Sequence, residues 1–143
     1  MTAGLFAALL LAATPPADPL GARIADSARA AQALQGRWDG AWVLRDARGR
    51  ALVMLQIVDP VGGGAPAAAW REPGDGGAAG YVDEIARTAG GLTLVFTRPG
   101  AGQATRIRLH ADGGGASGSL SEGATVRRVR LVRDGAHGYT GEP

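Results

Sequence analysis

His110 and Asp112 lie two residues apart, a spacing that turns both side chains to one face of a strand. An imidazole hydrogen-bonded to a carboxylate is part of an acyl-transfer triad. Ser117, Ser119 and Ser121 follow with the same alternation beyond a glycine turn at Gly113–Gly115. Read as chemistry, this is a cryptic hydrolase using His110, Asp112 and one serine. No G-x-S-x-G elbow accompanies it. The plainer reading is a solvated histidine at a strand end beside a polar serine face. Asp83-Glu84 is the one adjacent carboxylate pair. On a strand its members face opposite ways and cannot flank one substrate atom, which argues against glycosidase chemistry. His110 and His137 are the only imidazoles, and no H-E-x-x-H pattern exists, so no metal is expected. Gly62–Gly64 and Gly113–Gly115 do not run into a helix bearing Lys and Ser/Thr, so phosphate cradling has no basis. The expectation is a protein that is not an enzyme and carries no cofactor.

Binding is the remaining class. Trp70 precedes Arg71, Glu72 and a Pro-Gly-rich loop, and Tyr81 follows that loop. Trp70 is either a plug of a barrel rim or a stacking surface at its mouth. Trp70, Arg71, Glu72 and Tyr81 are the candidate ligand-binding residues. The expected mouth is framed by the Asp59–Gly64 and Pro73–Gly80 loops, the longest connections in a tightly turned chain. Arg127, Arg128, Arg130 and Arg133 crowd one strand near the end, and Arg106 and Arg108 another. Such a stripe either attracts polyanions or keeps a sheet soluble. Few aromatics are left for base stacking, which argues against nucleic acid. The expected partner is an unidentified small ligand or a protein.

The elements that must position these residues begin at Gly36-Arg37-Trp38-Asp39-Gly40-Ala41-Trp42. Here a helical pattern stops and a run of strands starts. Trp38 and Trp42 share one parity, so a strand would put both indoles on a core face. Apolar stretches then alternate with turn signals: 38–45, 51–58, 67–71, 80–88, 92–97, 104–111, 117–121 and 125–133. Short connections favour a sequential meander. About eight such strands remove their edges by closing. The predicted fold is all-β, an up-and-down antiparallel barrel of about eight strands, over residues 36–134. Before it, Asp18-Pro19 opens a helix over residues 18–35, a flank, plug or spacer, whose stripe is Leu20, Ile24, Ala28, Ala31 and Leu34. Gly36 is placed to end it. Residues 135–143 read as a frayed tail.

The first 17 residues carry no charge, and Leu5–Ala13 is too short an apolar run for the ~20 residues of a membrane span. It fits the apolar core of a signal peptide, with Thr14-Pro15-Pro16-Ala17 after it. The expectation is a periplasmic or secreted protein with no membrane span in the mature chain. The 143 residues suit one domain, and a net charge of +2 implies little beyond solubility. Cysteine is absent, which excludes disulfides, thiolate metal sites and thiol nucleophiles. Lysine and asparagine are absent too, while arginine, alanine and glycine abound, as GC-rich coding produces.

Several short motifs carry a family resemblance. They are Trp38-Asp39-Gly40, Ala69-Trp70-Arg71-Glu72-Pro73-Gly74, Leu92-Thr93-Leu94-Val95-Phe96, the G-S-L-S-x-G of Gly118–Gly123 and Leu131-Val132-Arg133. Over residues 36–133 the series resembles a small barrel domain of bacterial exported proteins, which in some precedes an α/β-hydrolase catalytic domain. Gly36-Arg37-Trp38 is also similar to the G-x-W opening of lipocalins and other calycins. That likeness implies an Arg from the final strand, Arg130 or Arg133, near the Trp. Together these imply a non-enzymatic ligand-binding or accessory barrel. A structural envelope protein with no ligand is the further alternative.

Overall fold

The computed structural model describes residues 18–32, 36–62 and 64–135. The apolar N-terminus, Leu34, His137 and the chain end all lie outside them. The helix α1 (Pro19–Gln32) is followed by nine strands: β1 (Gly40–Asp46), β2 (Ala51–Val58), β3 (Ala67–Arg71), β4 (Ala79–Tyr81), β5 (Glu84–Thr88), β6 (Gly91–Phe96), β7 (Thr105–Asp112), β8 (Gly115–Glu122) and β9 (Thr125–Arg133). All pairings are antiparallel, in the order β4-β3-β2-β1-β9-β8-β7-β6-β5. The sheet curls until its two outermost strands meet as neighbours in the chain. Only Val82 and Asp83 separate β4 from β5. The Val82 N–H donates to Ala68 on β3 at 2.9 Å, and the next, Asp83, donates to Val95 on β6 at 2.8 Å. Residues 79–88 thus act as one strand whose first half pairs with β3 and whose second half pairs with β6. The wall is the expected all-β antiparallel meander, built as nine strands curled into a half-barrel, where about eight strands in a closed barrel were expected.

Alternation decides which side chains fill the inside. Val53, Leu55 and Ile57 on β2, Leu92, Leu94 and Phe96 on β6, and Ile107 and Leu109 on β7 point inward and are buried. Trp38, Trp42 and Trp70 join them in one core. The barrel is therefore packed along its axis by aromatic and branched side chains, as small barrels commonly are. At Gly118, where β8 presses on β7, a Cβ would collide with the carbonyl oxygen of Arg108. That close approach is one way the wall is bent tightly enough to curl.

Trp38 is fully buried, yet it precedes β1 in a turn. Gly36 and Gly40 have φ of 80° and 118°, so the chain bends on either side of it and strand parity does not carry the indole inward. Asp59 does that work instead. Its carboxylate accepts the Trp38 N–H at 3.0 Å and pairs with Arg87 of β5. Arg87 also donates to the carbonyls of Pro60 and Gly64, each at 3.1 Å. It stitches β5 to the β2–β3 loop at the seam. Arg133 spreads over the Trp42 ring at 4.0 Å and donates to the carbonyls of Asp39 and Arg37. A final-strand arginine thus sits at the tryptophan end as expected, but its ring contact is Trp42. Asp18 caps α1 as expected, accepting the Leu20 N–H at 3.2 Å. Leu20 and Ile24 stay 65% and 61% exposed, so α1 does not plug the barrel.

Candidate functional site: an outer groove across four strands

Outward positions on β1 to β4 are occupied by small side chains over much of their area. Ala41, Ala69 and Ala79 face out on three of these strands, and Gly80 sits opposite Trp70 in the β3–β4 ladder. Larger side chains stand around them: Met54, Gln56, Arg71, Tyr81 and Asp134. The result is a groove of about 500 Å³, within the range of small-ligand sites. Trp42, Leu55 and Trp70 also line it, from inward-facing positions.

Three of the four candidate binding residues meet here. Tyr81 stands 85% exposed beside the groove, so ring and hydroxyl are both accessible. Arg71 is exposed, and among the described residues it makes no ion pair. Trp70 has turned inward: its indole is buried and stacks on Phe96 of β6 at 4.7 Å between centroids. That contact crosses the seam and makes Trp70 the plug of the two readings. Glu72 belongs elsewhere. Its carboxylate accepts the Ala78 N–H at 3.3 Å and lies 3.9 Å from Arg98. The expected mouth does not form, because the Asp59–Gly64 and Pro73–Gly80 loops leave opposite ends of the five-residue β3. Ala41, Met54, Gln56, Ala69, Ala79 and Asp134 were not anticipated. Their signal was available: small residues at outward parity on successive strands mark a hollow on the outer face.

The remaining chemical candidates are dispersed. His110 is directly across the β7–β8 ladder from Ser117, but no hydrogen bond joins it to a serine among the described residues. The Asp112 carboxylate lies 3.5 Å from Arg130 and is not bonded to His110. A base without its orienting carboxylate is not a triad. Asp83 and Glu84 are exposed. Among the described residues no group of three or more His, Cys, Asp or Glu is placed to hold a metal ion. No described helix is long and apolar enough to cross a membrane. Comparison with protein-family models, curated proteins and solved structures returned no match.

Proposed function

We propose that the chain is an exported, non-enzymatic barrel domain that binds a small ligand on its outer wall rather than inside. The observation that carries this reading is the β1–β4 groove. It combines an alanine-lined floor with the guanidinium of Arg71, which makes no ion pair among the described residues, and one exposed phenol, Tyr81. A ligand suited to it has a flat apolar body and an anionic group. The body covers the alanines and stacks on Tyr81, and Arg71 receives the charge in a fork of donors. The packed interior favours an external site, because little room is left along the axis. Export rests on the apolar run Leu5–Ala13, and the accessory role on the motif resemblance.

The test uses anilinonaphthalene sulfonate, an aromatic anion whose emission rises in apolar surroundings. Titration of the native protein should give saturable binding. Arg71→Ala and Tyr81→Ala should each weaken it by about tenfold, equivalent to ~1.4 kcal/mol. Ala69→Phe, which fills the groove, should abolish it. A dissociation constant untouched by all three changes refutes the groove as the binding site.

A further inference from the structure

A second outer surface, on the opposite part of the wall, has the reverse character. The β7–β8–β9 register sets Arg108, Ser119 and Arg128 in one row across the strands, and His110, Ser117 and Arg130 in the next. Arg106 and Ser121 share a third row with Val126. The serines of β8 are half-buried, while the arginines on both sides are exposed. The surface is therefore a trough floored by hydroxyls and walled by cations on β7 and β9. Neighbouring strands lie ~4.8 Å apart, so the two walls are roughly 10 Å apart at the backbone. Successive outward residues along either wall are ~7 Å apart. Among the described residues Arg106, Arg108 and Arg128 form no ion pair, and Asp112 offsets Arg130 alone. With a net charge of only +2 for the whole chain, this is a concentration of positive charge on one face.

We infer that this trough binds a linear anionic polysaccharide along β8. The two walls supply guanidinium donors to its sulfate, carboxylate or phosphate groups. The serine floor supplies hydroxyls that both donate to and accept from sugar hydroxyls. Nucleic acid fits less well: the outward positions of β7, β8 and β9 hold no Phe, Tyr or Trp, and the imidazole of His110 is the single ring there on which a base could stack. The groove on β1–β4 takes no part, so each site can fail without the other.

The experiment measures fluorescence anisotropy of a labelled heparin oligosaccharide against the full chain at a series of salt concentrations. Binding should weaken steeply with salt. Arg108→Ser combined with Arg128→Ser should weaken it by more than about tenfold and lower the log–log salt slope by about 1 to 2. Ser119→Glu keeps every arginine but places a carboxylate on the floor, and it should weaken binding comparably. Arg71→Ala should leave it unchanged. Thermal melting of each variant checks that the barrel is intact. Absence of binding at low salt overturns the inference, as does affinity indifferent to both trough variants. Equal affinity for an uncharged glycan of the same length overturns it too. Tighter binding of an oligothymidine of matched charge would replace the polysaccharide with nucleic acid.

Discussion

The two ends of the barrel are each latched by an arginine and carboxylates, but the latches differ in kind. At the tryptophan end Arg87 and Asp59 are 11% and 0% exposed in their side chains, and both make further hydrogen bonds. At the other end Arg98 lies 3.9 Å from Glu72 and 3.7 Å from Glu122, at distances too long for good hydrogen bonds. There Arg98 and both glutamates are roughly a third exposed. Buried charges depend on their partners because water cannot replace them, whereas exposed pairs exchange one solvation for another. The same pairing of guanidinium with carboxylate is thus structural at one end and nearly neutral at the other.

The largest expected effect breaks the buried latch. Arg87→Met keeps much of the side-chain bulk but strands the Asp59 carboxylate, and it should cost ~3–5 kcal/mol in denaturant melts. Asp59→Leu should be similarly harmful, because it also removes the acceptor of the Trp38 N–H. The double variant should lose less than the two singles added, since the pair is shared. Strict additivity would show that the two side chains do not act on each other.

That latch was also the least legible part of the fold. The boundaries of β2, β3 and β9 follow from alternation and flanking turns, and the expected runs over 51–58, 67–71 and 125–133 match them residue for residue. The expected strand 80–88 is split at Val82-Asp83, because a strand closing a ring serves two neighbours and here serves them in turn. Asp59 and Arg87 are 28 residues apart, and no local pattern links them. Parity held the hint: Asp59 continues the inward set of Val53, Leu55 and Ile57, and Arg87 follows Ile85. A charge at an inward position calls for a partner at another. The groove was half legible. Arg71 and Tyr81 are recognisable by residue type, but nothing in the sequence separates Glu72 from them. Its strand ends at Arg71, so the chain has already turned toward Arg98.

A smaller effect sharpens the comparison from the end away from the tryptophans. Arg98→Met should cost ~0–1 kcal/mol, because the pairs are long and both glutamates are already about a third exposed, so water solvates them once released. Glu122 also keeps the Thr105 hydroxyl as a donor at 3.0 Å. A loss as large as that of Arg87→Met would erase the distinction between the two ends.

The smallest effect concerns the Asp46 turn, also at the end away from the tryptophans, where charge acts through the backbone. Its Oδ1 accepts the N–H groups of Arg48 and Arg50, each at 2.9 Å, and its Oδ2 lies 3.3 Å from the Arg50 guanidinium. The Arg50 N–H is the largest influence holding the carboxyl below its ordinary 3.8. Partial burial opposes it, and the Arg48 N–H and the charges of Arg50 and Arg48 add to it. A carboxyl with a depressed folded pKa binds fewer protons folded than unfolded. Its contribution is therefore complete above the unfolded value and fades as pH falls through the folded one. Asp46→Asn keeps an acceptor oxygen for the turn but cannot titrate. The wild-type protein should hold a small stability advantage at neutral pH. That advantage should shrink only as pH drops below about 4. The difference between paired melts cancels the other carboxylates, so a gap that stays constant down to acid pH would show that the charge on Asp46 contributes nothing to the turn.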